Sequence, residues 1–189
     1  MTVLKSLLAS SLVALVALAP ASASIQAQPE MDGLKHIKQF AYDGGSELAG
    51  QGRYLYSGEA NAKAGGQRGT APDDGGLHIF DIKQMKEVGF LHCPGTDNDV
   101  ELVKPGLVVM AFRTNMCVPS TGGGIMLIDV KDPSHPKIIS ALNTNGADHT
   151  VKPFPGGKYV YMAGGGLTGG GGAGPVIVDV SNPAKPKIA

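Results

Sequence analysis

Apolar positions along this chain come in short runs broken by Gly and Pro, and the runs return at a fixed distance. GLHIFD at 76–81, GIMLID at 124–129 and PVIVD at 175–179 align, with Asp81, Asp129 and Asp179 spaced by 48 and then 50 residues. Ahead of each lies an alternating run, GRYLYS at 52–57, GLVVMA at 106–111 and GKYVYMA at 157–163. Shorter matches precede those: SEL at 46–48, DVEL at 99–102 and HTV at 149–151. Each unit therefore predicts four short strands joined by turns, and no stretch after residue 23 combines helical apolar periodicity with helix caps.

A four-stranded antiparallel meander repeated at this period is the blade of a β-propeller. The expected fold class is all-β, with about three blades at roughly 46–92, 97–142 and 147–189. Near-continuous apolar runs such as Ile125 to Ile128 fit a strand covered on both faces. A β-sandwich with coincidental similarity is the alternative, and two nearly equal spacings argue against it. Asp132-Pro133 and Asn182-Pro183 carry the residues that open a type I turn. Pro136 and Pro186 then introduce the last strand of the blade, an edge position where a missing N–H is tolerated. The first repeat departs here, with Lys83-Gln84-Met85 in place of the proline turn.

The strand-turn-Pro segments MLIDVKDPSHPKI and VIVDVSNPAKPKI resemble the LVIVD-repeat proteins, exported β-propellers named for this strand; the resemblance covers roughly residues 35 to 189. It implies architecture more than chemistry, because most members have no assigned reaction. Propellers close with about four to eight blades. Three blades plus an outer strand from His36 to Tyr42 fall short, so the expectation is a propeller truncated at the C-terminus or an array that closes by oligomerisation.

Met1 to Ala23 reads as a secretory signal: one charge at Lys5, an apolar stretch from Ser6 to Leu18, then Ala21-Ser22-Ala23. A linker at 24–34 follows. The apolar stretch is shorter than the roughly 20 residues a membrane span needs, which places the mature protein outside the cell or at its surface, with no transmembrane segment. The 16 basic and 16 acidic residues leave no basic footprint for nucleic acid. Cys93 and Cys117 are the two cysteines, and an even count in an exported chain favours a disulfide. Carrying the pairing of Lys104 with Leu107 down the two strands puts Cys93 beside a position near 118, one residue from Cys117.

The long connections, 58–75, 114–123 and 164–174, emerge together at one end of such meanders, where binding is expected. Asp97, Asp99 and Glu101 alternate at the entry to a first strand, and Asp148-His149 enters the next blade at the same place. Carboxylates and an imidazole gathered there would suit a divalent cation or a polar ligand, although side chains at blade junctions also bind loop backbone. The G-x-G-x-x-G at Gly164 to Gly169 is followed by a strand rather than a helix, so it reads as a flexible loop, not a phosphate site. No nucleophile elbow, H-E-x-x-H or C-x-x-C occurs.

Two functions are compatible with these features. One is a non-catalytic exported binding module whose loop end recognises a protein or glycan. The other is a metal-dependent propeller oxidoreductase or hydrolase built on Asp97, Asp99, Asp148 and His149.

Overall fold

The structure is a computed structural model that describes residues 35–40, 45–59, 62–63, 67–68, 75–93, 95–115, 117, 123–144, 149–163 and 175–189. The side chains of 45–46, 62–63, 67–68, 95–98 and 113–115 are outside that description. The expected signal at 1–23, the linker at 24–34 and the glycine loop at 164–174 lie outside the described residues.

The strands are β1 (Gly45–Gln51), β2 (Tyr54–Glu59), β3 (Ala62–Lys63), β4 (Gln67–Arg68), β5 (Gly76–Asp81), β6 (Lys86–His92) and β7 (Gly95–Lys104). They continue with β8 (Leu107–Asn115), β9 (Gly124–Asp129), β10 (Lys137–Asn143), β11 (Thr150–Pro153), β12 (Tyr159–Ala163), β13 (Val176–Asp179) and β14 (Lys187–Ile188). Three four-stranded antiparallel sheets result, ordered β1-β2-β5-β6, β7-β8-β9-β10 and β11-β12-β13-β14; β3 and β4, in the connection from β2 to β5, pair as a separate small ribbon. These are unclosed, propeller-like blades. Among the described residues no helix is long and apolar enough to cross a membrane. The described part of the expected outer strand, 35–40, is irregular, and the Phe40 ring lies 4.3 Å from that of Phe80.

Side chains alternate across a strand, and the second blade uses both of its faces. Val108, Met110, Phe112, Met126 and Ile128 pack against Tyr56, Leu77 and Ile79 of the first blade. The intervening Val109, Ala111, Ile125 and Leu127 pack against Val151, Val160, Met162 and Val178 of the third. Complete burial of each such Val, Leu, Ile or Met contributes about 1.5–3 kcal/mol, which makes the two blade junctions the main source of cohesion. The continuous apolar runs in β8 and β9 are the direct consequence of this two-sided burial.

The aspartate that ends each third strand builds a turn. Its Oδ1 accepts the N–H two residues on, from Lys83, Lys131 and Ser181, at 2.9 Å each. The N–H of the next residue then reaches the turn between the first two strands: Ile82 to the Arg53 carbonyl at 2.9 Å, Val130 to Gly106 at 3.0 Å and Val180 to Lys158 at 2.8 Å. This Asp is a structural cap.

The proline turns close by N–H to carbonyl bonds from His135 to Asp132 at 3.0 Å and from Lys185 to Asn182 at 2.9 Å. They also hook the preceding blade. In β6 and β10 a register shift bends the outer strand just where the turn of the next blade arrives. Gly89 meets Pro133 so closely that a Cβ there would lie 1.8 Å from the Pro133 carbonyl oxygen. At the equivalent place in β10, the Ser140 hydroxyl donates to the Pro183 carbonyl at 2.5 Å. The first blade closes its own turn differently: Met85 adopts φ 52°, and Lys83 and Gln84 both donate to Asp81.

Gly89→Ala should cost about 3 kcal/mol in chemical denaturation because backbone must move. Gly52→Ala, at φ 60° but in open space, should cost only about 1 kcal/mol. Equal losses would mean that the Gly89 contact does not hold the blades together.

The capping aspartates also predict an acid limit. The Arg53 guanidinium bonded to Asp81 holds that carboxyl below its ordinary range, as the Ser181 hydroxyl and N–H do for Asp179. Ser134, with His135, brings Asp132 to about 2. Groups with depressed folded pKa values contribute stability above their unfolded pKa of about 4, and that contribution is lost as pH falls through the folded value. Urea midpoints should therefore fall between about pH 4 and pH 2, with a shallower fall in Asp81→Asn.

Candidate functional site

The innermost strands β7 and β11 lie side by side and carry the described part of the predicted site. Asp99 is 2% exposed. Its Oδ2 accepts the Val151 N–H at 2.9 Å across the blade boundary, with the Lys152 ammonium 3.6 Å away. Glu101 takes a hydrogen bond from the same Lys152, which is the main cause of that lysine's raised pKa. Asp99 and Glu101 face the third blade together because they pair with Ala111 and Val109, both of which pack toward it. The Asp99 Oδ1 is buried with no hydrogen-bond partner among the described residues, a desolvation cost of about 1–3 kcal/mol unless water fills it.

Asp97 does not continue the expected alternation in register: shifts on either side place it opposite Phe112, where strict alternation with Asp99 would skip a residue differently. Its side chain and the whole of Asp148 lie outside the described residues. His149 is exposed; its N–H donates to the Ala163 carbonyl at 3.2 Å and its Nδ1 is 3.2 Å from the Thr150 hydroxyl. Among the described residues no three His, Cys, Asp or Glu side chains are grouped to hold a metal ion. The geometry gives Asp99 and Glu101 a common role, a carboxylate pair gripping Lys152 and the β11 backbone.

Cys93 and Cys117 come to disulfide distance, with Cα atoms 5.5 Å apart. The β7–β8 ladder pairs Val100 with Met110 and Gly95 with Asn115. That register, one residue from the expected one, continues to Cys93 facing Cys117 itself. Cys93 is fully buried among residues of the first and second blades, so the pair ties the connection entering the second blade to the loop after β8.

Two features escaped sequence reasoning. His78 is 7% exposed, with Nε2 3.0 Å from Glu59 and Nδ1 2.9 Å from Glu87. Its ring lies 4.5 Å from that of Phe90. Glu59 and His78 occupy the places that Phe112 and Met126 hold in the second blade, counted from the paired Asp81 and Asp129. The break in apolar pattern at His78 was the available signal, but its partners come from two other strands. The second feature is an open cleft of about 300 Å³ where Tyr54 and Tyr56 meet the turn at Pro105. It sits at the end of the sheets opposite the long connections, because turns between first and second and between third and fourth strands share that end.

The sequence model of the LVIVD repeat matches residues 116–144 and 156–189. No curated protein matches the chain. Among solved structures, a functionally unknown protein from Desulfotomaculum acetoxidans DSM 771 is similar, with a TM-score of 0.58 at 9% identity over 80% of this chain and 43% of that one. This chain thus spans less than half the length of that protein, and the likeness concerns fold alone.

Reduction should add the mass of two hydrogens to the purified protein and lower its stability by about 3 kcal/mol for a loop of this size; an unchanged mass would exclude the bond. Asp99→Ala should destabilise by about 1–3 kcal/mol through loss of the Val151 hydrogen bond and the Lys152 contact. A neutral or stabilising result would show that the buried carboxylate costs more than its contacts return.

Proposed function

We propose that this LVIVD-repeat protein is an exported, non-catalytic binding module that recognises a protein or glycan partner at the cell surface or outside the cell. The observation that carries this reading is the division of the molecule into a tightly packed blade scaffold and a set of long connections leaving it at one end. β2 and β5, β8 and β9, and β12 and β13 pair along their lengths while 16, 8 and 12 residues separate them. Loops of that length on a rigid frame can vary without disturbing the core. The Cys93–Cys117 pair fastens one of these connections, the one after β8, to the link entering the second blade, which limits the ordering entropy a partner would have to offset. The same pair and the leader pattern at 1–23 support export.

The test is saturable binding of the purified full chain to intact cells of its source. Replacing 118–122 and 164–174 with Gly/Ser segments, which keeps Cys117, should leave the circular dichroism spectrum and melting curve in place and abolish binding. Undiminished binding by that variant would remove recognition from the loop end. Fractionation checks export: the mature protein, beginning at Ser24, should be recovered outside the cytoplasm, and retention of the uncleaved chain inside would contradict the reading.

A further inference from the structure

The cleft at the turn end has a composition that neither the blade packing nor the loop-end reading accounts for. Tyr54 and Tyr56 form one wall, Pro105 and Pro133 the other, and Gln51 and Lys131 stand at its polar positions. From these residues we propose that the cleft binds a neutral hydroxylated ring, a sugar unit of a glycan.

Its size, about 300 Å³, is at the lower limit of small-ligand sites and suits one or two rings rather than a folded partner. Tyrosines and prolines supply flat apolar surface for the C–H face of a sugar, and a phenol adds a hydrogen-bonding tip. A wholly apolar ligand would strip water from Gln51 and Lys131 without replacing it; ring hydroxyls replace it. Charge argues against an anion. Lys131 has Asp129 at 3.6 Å, and the neighbouring Arg53 is paired with Asp81, so both cations already face carboxylates. Burial, with Tyr54 alongside, raises the Tyr56 phenol pKa, and the group stays a neutral hydrogen-bond donor throughout the physiological range.

The aromatic wall is held before any ligand arrives. Tyr56 is 2% exposed, and the Arg53 guanidinium lies 5.5 Å over the Tyr54 ring while bonded to the buried Asp81. The corresponding space between the second and third blades is closed. There Leu107 and Val109 take the tyrosine positions and are 4% and 0% exposed. The longer turn between β11 and β12 brings Gly157, at φ 66°, so near that a Cβ would lie 2.8 Å from the Val103 carbonyl oxygen. At the two-residue turn Pro105-Gly106 the atoms nearest a Cβ on Gly106 belong to Lys131 of the same blade, at 2.6 Å, and the cleft opens at the junction between the first two blades.

This site is separate from the loop end, so the two readings fail independently. The experiment is calorimetric and saturation-transfer NMR titration of the full chain with neutral tetrasaccharides of glucose, mannose and N-acetylglucosamine. Tetragalacturonate and a proline-rich decapeptide serve as contrasts. At least one neutral probe should bind; Tyr54→Ala should weaken it by about tenfold or more, and Tyr54→Phe by less than about threefold. Gln51→Ala, at a partly exposed position, gives a second variant that should weaken binding if Tyr54→Ala fails to fold. The loop-replaced variant should bind the sugar normally. The proposal is overturned if no neutral probe binds at about 10 mM, a dissociation constant too weak to count. It is equally overturned if binding survives both substitutions, or if only the acidic probe or the peptide binds.

Discussion

The packing of one sheet between two others is the constraint on which the rest depends. A sheet covered on both faces cannot use polar residues at alternate positions, and β8 and β9 are accordingly apolar along most of their length. Burial on that scale lets the chain dispense with helices among the described residues and tolerate long connections. It also explains why the turns are so regular. Blades separated by the thickness of two side-chain layers must meet at their outer strands without backbone collision, and the Pro133 and Pro183 carbonyls arrive at positions where the bulged strand offers a glycine or a small hydroxyl.

Polar interactions refine this packing. Asp81, Asp129 and Asp179 spend one carboxylate oxygen on the N–H two residues on, which fixes the direction of the chain as it leaves the third strand. Asp99 and Glu101 with Lys152 add a cross-blade stitch nearest the inner strands. The first blade differs: Glu59, His78 and Glu87 form a hydrogen-bonded group on the face turned away from the second blade, and Phe40 reaches the same face through Phe80. Its face toward the second blade remains apolar. The repeat is conserved in the chain where blades must meet and relaxed where they need not.

The two proposed binding regions lie at opposite ends of the sheets. The long connections leave from one end, where the cysteine pair ties the one after β8 to the link between the first two blades; the short turns at the other end leave an aromatic cleft between the first two blades. The scaffold is separable from both proposed binding regions because the apolar layers lie between these ends.

The repeat, the four-strand unit, the Asx-Pro turns and the Cys93–Cys117 proximity were legible in the sequence because each rests on local pattern or on antiparallel pairing, which a short turn such as Pro105-Gly106 sets within one residue. Fold class followed from period. What the sequence could not decide was which blade presents which face to which neighbour. Asp99 and Glu101 alternate at a strand entry, a pattern that fits either a ligand or neighbouring backbone, and only the position of β11 placed them against Lys152 and the Val151 N–H. The partners of His78 were not legible because its carboxylates lie in β2 and β6, joined to it by sheet register rather than by sequence. The cleft was invisible for the same reason: Tyr54 and Pro105 are neighbours only once two blades have stacked, and stacking is a sum over many buried side chains that no single segment encodes.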